Sequence, residues 1–260
     1  MNPSVFKYFL RYRPLFLALI RSREIELYQQ NMTLSKKVLD FGSGDGFFLD
    51  TLQRFYPKVF KNAHIVGIDV NKTSLEESRT YDLYDQLVSY DGKKLPFASQ
   101  SFDTVFSNCV FEHLPDLALN LKEMHRVLKP GGKLYTTVMA KPWDWYVVLP
   151  ASFWRKKQVH INLLSQTGWE QAFAHAGFKV KKSVGYLSKQ QSRIIELAHF
   201  LSIPYLLSYI LTKKWSLVGP LFTKIVPVEK LQQMFAENVK VKKAAALYFT
   251  LEKPRSSPPR

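Results

Sequence analysis

The stretch from Val38 to Leu49, VLDFGSGDGFFL, leaves this chain few choices of fold. Val38, Leu39 and Phe41 make a short apolar run of the kind that forms a buried strand. Gly42, Gly44 and Gly46 follow at every second position. Without a Cβ, the backbone there can turn sharply and a ligand can lie against the main chain. Phe47, Phe48, Leu49 and Leu52 then resume at helical spacing, so the free N–H groups of that helix face whatever sits over the turn. A glycine-rich turn without a ligand is the plainer alternative.

The spacing narrows the ligand. A dinucleotide fingerprint runs G-x-G-x-x-G, but here the third glycine comes one place early and Phe47 takes the dinucleotide slot. Asp40 stands two residues before Gly42, at the mouth of the strand. A carboxylate there suits a ligand with a cationic amino group and repels a pyrophosphate. The pattern D-x-G-x-G-x-G resembles the first motif of the class I S-adenosylmethionine (SAM)-dependent methyltransferases.

The following segments fit an alternating α/β chain. His64–Asp69 reads as a second apolar strand ending in a carboxylate, 29 positions after Asp40, about one strand-helix-strand unit. A helix is expected from Thr73, capped by Asn71, Thr73 or Ser74. Leu87–Gly92 reads as a third short strand ending in Asp91-Gly92, itself an ordinary turn signal. Phe102, Val105 and Phe106 mark a fourth strand ending near Ser107-Asn108, and Leu117–Leu128 a helix stopped by Lys129-Pro130-Gly131-Gly132. Lys133–Met139 is the fifth strand, Ser165–Ala176 a helix, Phe178–Val184 the sixth strand and Ala244–Glu252 the seventh. The combination of LPF, SFD-x-V, EHLPD and RVLKPGG resembles the Methyltransferase type 11 subgroup over residues 36–139, and SQTGWEQAFAHAGFKV resembles its last helix and sixth strand.

That resemblance implies an α/β, Rossmann-like, seven-stranded class I methyltransferase sheet with flanking helices and a helical insertion before the last strand. The expected organisation is a helical segment over 1–30, a SAM-binding core over 31–186, an insertion or lid over 187–240, the last core strand within 241–253 and a disordered tail over 254–260. It implies S-adenosyl-L-methionine as cofactor. Asp40 is placed at the methionine end, Gly42, Gly44 and Gly46 on the floor, Asp69 at the ribose with Val70 beside it, Asp91 and Gly92 near the adenine, and Asn108 at the end of the fourth strand.

The acceptor side is less determined. His113 and His160 are candidate general bases, each weighed against a purely structural role. Cys109 reads as a small buried residue before it reads as a nucleophile. No His/Cys/Asp cluster has metal-ligand spacing, so no metal is expected. An enzyme acting on cytosine carbon would resemble Pro-Cys, and one acting on an exocyclic amine Asn-Pro-Pro-aromatic. This chain has Asn-Cys-Val-Phe at 108–111, which counts against nucleic-acid bases. The expected acceptor is a small molecule or a lipid-linked group. The alternatives are a nucleic-acid methyltransferase and a noncatalytic SAM-binding scaffold.

Charge and hydropathy concentrate elsewhere. The net charge is +16, of which residues 31–140 contribute nothing, residues 1–30 contribute +3 and residues 141–260 contribute +13. An excess in the flanks suggests an anionic partner, with simple solubility as the competing explanation. Within the insertion, residues 194–211 form a long, mostly apolar stretch interrupted by Glu196, His199 and Pro204; Lys213, Lys214 and Trp215 follow shortly after. Another aromatic group, Trp143, Trp145, Tyr146, Phe153 and Trp154, precedes Arg155-Lys156-Lys157. In the N-terminal segment Phe6, Phe9, Leu10, Phe16, Leu17 and Ile20 give an apolar face broken at Pro14, opposite Lys7, Arg11, Arg13 and Arg21. Packing over the cofactor pocket is preferred there to a membrane-surface helix. For the insertion, closure on the protein itself or on a second copy competes with contact to an anionic membrane surface. One cysteine, no signal-peptide pattern and no charge-free stretch of spanning length together predict a cytoplasmic protein, with peripheral membrane contact as the open question.

Overall fold

The computed structural model describes residues 1–147, 160–212 and 218–255. Seven strands form one sheet: β1 (Leu34–Phe41), β2 (Phe60–Asp69), β3 (Gln86–Ser89), β4 (Phe102–Asn108), β5 (Leu128–Met139), β6 (Lys179–Tyr186) and β7 (Ala246–Glu252). Their order is β3-β2-β1-β4-β5-β7-β6. Only β7 runs antiparallel to its neighbours. This is the class I methyltransferase sheet that the motifs imply. The strand order reverses between β1 and β4, and in open α/β sheets ligands bind beyond the carboxyl ends of the strands at that switch point.

The strand sequences explain the layering. β1 alternates Val38 toward one core layer and Leu39 and Phe41 toward the other, and all three are fully buried. Ile65 against Val66, and Leu134 against Tyr135, divide in the same way. A sheet buried on both faces needs apolar residues at both parities of its strands. One layer is covered by α5 (Leu117–Val127) and α7 (Gln166–His175). Ser165 caps α7 by accepting the Gly168 N–H at 3.1 Å, and the buried Trp169 indole donates to the Met139 carbonyl at 3.1 Å.

The other layer holds α1 (Pro3–Tyr12), α2 (Leu15–Asn31) and α3 (Phe47–Phe55). The chain breaks between α1 and α2 at Pro14, as expected, but α2 is not a one-sided amphipathic helix. It buries Ser22, Arg23 and Glu24 as well as Ala18, Leu19, Ile25 and Tyr28. Arg13 and Arg21, expected on an outer basic face, turn inward against the glycine turn and Glu24. The segment is therefore core packing and not a membrane-surface helix.

Other boundaries also moved. β3 stops at Ser89, short of Asp91-Gly92. Lys129-Pro130-Gly131-Gly132 ends α5 but already belongs to β5, because Gly131 N–H donates to the Lys253 carbonyl and Lys253 N–H to the Gly132 carbonyl. Between β6 and β7 lie α8 (Lys189–Leu201), α9 (Ile203–Thr212), α10 (Gly219–Ile225) and α11 (Val228–Ala236). Ser188 opens α8 with a capping box to Gln191. Helices α4 (Lys72–Ser78), capped by Asn71, and α6 (Pro142–Tyr146) complete the described set. Phe153, Trp154, Arg155-Lys156-Lys157 and Lys213-Lys214-Trp215 lie outside the described residues, as does the tail beyond 255.

Candidate active site

The glycine turn sits at the carboxyl end of β1 and is braced from β2. Gly42 and Ser43 N–H groups both donate to the Ile68 carbonyl, at 2.9 and 3.1 Å. Gly44 N–H donates to one oxygen of Asp69 at 2.9 Å, and the other oxygen accepts the Asn71 N–H at 2.8 Å. Gly44 has φ +56°, and a Cβ added there would meet nothing within 4 Å. The main chain is thus bare toward a cleft of about 240 Å³ lined by Asp40, Gly42, Ser43, Gly44, Asp45, Phe106 and Asn108. Gly42 is held differently: a Cβ would lie 2.4 Å from Val110.

Asp40 is the buried carboxyl of this cleft, 2% exposed. Burial pushes it up to about 7; the Tyr84 hydroxyl, donating at 2.7 Å, partly offsets this, and the neighbouring Asp69 adds to it. A cation placed beside it would return it to the charged form. The sequence reading missed Tyr84, because nothing in its local pattern marks a residue reaching back from beyond α4. Helices α1 and α2 close the cleft through Phe9, Arg13, Leu17 and Arg21. Arg13 pairs with Asp45 and lies 4.1 Å from the Phe47 ring centroid.

Of the residues placed at the cofactor, the structure brings Asp40, Gly42, Gly44 and Asn108 to one cleft. Gly46 instead starts α3 at φ +77°, backed by Ser78, Tyr81 and Tyr84. Asp69, Val70, Asp91 and Gly92 lie off that cleft, on the adjoining carboxyl edges of β2 and β3, where a Cβ on Gly92 would stand 3.7 Å from Val70.

Asn108 belongs to a buried polar knot. Its amide donates to Glu24 at 3.0 Å and to Thr137 at 2.7 Å. Glu24 also accepts Arg21 at 2.6 Å, the Cys109 thiol at 3.2 Å and the Tyr186 hydroxyl at 2.7 Å. Burial and the Glu24 carboxylate push the Cys109 thiol up, which leaves it protonated and disqualifies it as a nucleophile.

Beyond Leu17 and Arg21, which line both spaces, a second cavity of about 140 Å³ is lined by Phe16, Ile20, Cys109, Glu112, His113, Met139, Trp143, His160 and His199. Both candidate bases reach it. Their rings lie 4.9 Å apart between centroids. Burial, with His113 adding to it, lowers His160 to about 4, so its imidazole is neutral at ordinary pH. Glu112, the residue before His113, is fully buried and lies beside both histidines. Burial raises it to about 7, although the Met139 N–H donates to it at 3.2 Å. The sequence spacing marks no metal-ligand cluster, but three possible donors meet in space. Glu112, His113 and His160 present donor atoms all within 4.8 Å of one another. The 47-residue gap between His113 and His160 hides that grouping from any spacing rule.

Comparison with known proteins agrees with this geometry. Residues 39–136 match the family described as Methyltransferase domain. A malonyl-[acyl-carrier protein] O-methyltransferase of Legionella pneumophila is 37% identical over 123 residues, 46% of this chain and 42% of that protein. A sterol 24-C-methyltransferase of Aspergillus fumigatus is 30% identical over 144 residues, 52% of this chain and 37% of that protein. The chain thus spans less than half the length of these relatives. Among solved structures, a Haemonchus contortus phosphoethanolamine N-methyltransferase bound to phosphomonomethylethanolamine and S-adenosylhomocysteine aligns with TM-score 0.59 at 18% identity, covering 98% of this chain and 59% of that one. The strand order is that of the class I methyltransferase fold, and residues 39–136 within it match the Methyltransferase domain family, which supports S-adenosyl-L-methionine as cofactor.

Proposed function

We propose that this protein methylates a lipid-linked or otherwise amphipathic small acceptor while its insertion rests on an anionic membrane surface. The observation that carries the proposal is the outer face of α8–α10. Leu197, Phe200, Leu201, Ile203, Leu207, Ile210, Leu211, Leu221 and Ile225 are each at least 40% exposed there. Among the described residues only four other large apolar side chains are that open: Val70, Leu119, Trp145 and Ile161. So many open apolar side chains gathered in one insertion call for a partner. Exposed Lys189, Arg193, Lys224 and Lys230 accompany it, which selects an anionic surface over a neutral one. No single described helix is long and apolar enough to cross a membrane, and the α8–α9 pair is bent by 44°. The pair is read as lying on the surface.

The lid joins that face to the chemistry. His199 of α8 lines the second cavity and stacks on Phe16 at 3.8 Å between centroids. The remaining wall of Leu17, Ile20, Met139 and Trp143 suits an apolar or amphipathic acceptor. In the cofactor cleft, Asp40 takes the cationic amino end, the bare backbone at Gly44 forms the floor with Gly42 packed on Val110 beside it, and Asn108 fixes the inner wall. Asp69 takes the ribose, with Val70, Asp91 and Gly92 at the adenine end and Gly46 holding the turn from behind. When bound, S-adenosylmethionine would supply an activated methyl group for in-line displacement, the S–CH3 bond breaking with S-adenosylhomocysteine as leaving group. The chain's part is alignment, which is worth roughly 7–11 kcal/mol when reacting atoms are well placed.

Vesicle co-sedimentation tests the surface reading. Binding to vesicles with anionic lipid is expected at low salt, weakening in high salt and falling at least tenfold in Leu207→Glu/Leu211→Glu. Absence of binding by the folded parent protein at low salt would overturn it, and a soluble small-molecule acceptor would replace it.

A further inference from the structure

The second cavity contains a group that its own neighbours do not explain. Glu112 is fully buried, and one carboxylate oxygen accepts the Met139 N–H. The other oxygen has no hydrogen-bond partner. A buried acceptor left unmatched costs on the order of 1–3 kcal/mol, more when charged, so it calls for a reason such as a catalytic role or a bound ion. Beside it stand the imidazoles of His113 and His160, with one donor atom from each residue within 4.8 Å of the others.

These three donors are held by the backbone. Glu112 and His113 sit in one 3₁₀ turn, Phe111–His113. The extended segment that follows His160 is tied back to that turn at four points. Ile161 and Asn162 N–H groups donate to the Glu112 carbonyl at 2.7 and 2.9 Å, and the Asn162 amide donates to the Phe111 and Leu114 carbonyls at 3.1 and 2.7 Å. A donor 47 residues distant in sequence is thereby pinned beside the other two. The cation among the described lining residues, Arg21, is already paired with Glu24 at 2.6 Å.

We propose that Glu112, His113 and His160 form a binding site for one divalent first-row transition metal ion in the acceptor cavity. Two imidazoles and a carboxylate suit zinc, cobalt, nickel or iron(II) better than the oxygen-only preference of calcium or magnesium. Donors around zinc at about 2.0–2.1 Å stand about 3.3 Å apart, so coordination draws each inward by on the order of an ångström. Three protein ligands leave coordination positions open, as in catalytic rather than structural sites. Those positions face the cavity that is read above as the acceptor pocket, so the ion would take an acceptor oxygen or another anionic acceptor group. This step rests on that reading, but the metal site itself does not.

Cobalt(II) is the probe, because its visible d–d bands report the ligand set without turnover. The metal-free full-length protein should bind one cobalt ion with tetrahedral or five-coordinate bands, and zinc should displace it. Glu112→Gln retains an oxygen to accept the Met139 N–H and should preserve the fold, yet lose at least tenfold in cobalt affinity. His160→Gln should do the same, with circular dichroism and S-adenosylhomocysteine binding unchanged. Cobalt spectra and stoichiometry identical in the parent protein and both folded variants would overturn the site, as would absence of cobalt binding by the parent protein. If cobalt binds as expected while the vesicle experiment fails, the metal site stands and only the lipid-linked acceptor falls.

Discussion

Replacing Asp40 by asparagine keeps the shape of the side chain and removes its charge. In the ligand-free protein this carboxyl titrates at about 7, so at pH 6 only about one molecule in ten carries the anion. S-adenosylhomocysteine brings an amino group whose ordinary range lies about one unit or more higher, and it stays protonated below neutrality. Affinity should therefore rise about tenfold per pH unit between pH 5 and 6, where binding of the cation releases nearly one proton. In Asp40→Asn that slope should vanish. At pH 7.5 affinity should be lower than the parent's by roughly 10- to 150-fold, the equivalent of one charge-assisted hydrogen bond at about 1.5–3 kcal/mol. Titration calorimetry in buffers of different ionisation enthalpy measures both the affinity and the protons released. The same carboxyl sets a stability slope of opposite sense. Its folded value lies above its unfolded one, so the folded state holds more protons between about pH 4 and 7, and the ligand-free fold should lose stability as pH rises through that window. Urea midpoints of Asp40→Asn should fall less steeply there. A parent protein whose affinity is flat from pH 5 to 6, or a variant with the parent's slope, would refute the assignment of Asp40 to the cationic end.

Two further outcomes follow from the hydrogen bonds around the turn. Asp69→Ala leaves the Gly44 and Asn71 N–H groups without their acceptor, so S-adenosylhomocysteine affinity should fall more than tenfold and the melting temperature should drop with it; an unchanged affinity in calorimetry would place the ribose elsewhere. Glu24→Ala removes an acceptor shared by Arg21, Asn108, Cys109 and Tyr186 at once. Removing one side of a buried ion pair costs about 3–5 kcal/mol, and a urea unfolding curve within 1 kcal/mol of the parent's, roughly the value of a surface pair, would show that the knot is not what anchors α2.

What the sequence determined by itself was local. Val38 to Leu49 specifies strand, turn and helix because apolar parity and glycine spacing act over a few residues. The strand parities of β1, β2, β4 and β5 were equally readable, since each carries its own alternation between the two core layers. The order of motifs then implied the sheet and its cofactor by resemblance. Tertiary structure decided everything that joins distant parts of the chain. Tyr84 reaches Asp40 across 44 residues, and Tyr186 reaches Glu24 across 162. Helix α2 looked amphipathic in its first turns, yet it is buried around its circumference because Glu24 satisfies four donors: Arg21 of its own helix, Asn108 and Cys109 at the end of β4, and Tyr186 of β6. Glu112, His113 and His160 had no legible spacing because the hydrogen bonds of Asn162 and Ile161, and not the chain between them, bring the last histidine to the other two. The outer face of α8–α10 is the converse case. Its apolar residues were plain in the sequence, but only the packing of Tyr205 and His199 against the N-terminal helices fixed which side of the insertion turns inward and which is left open.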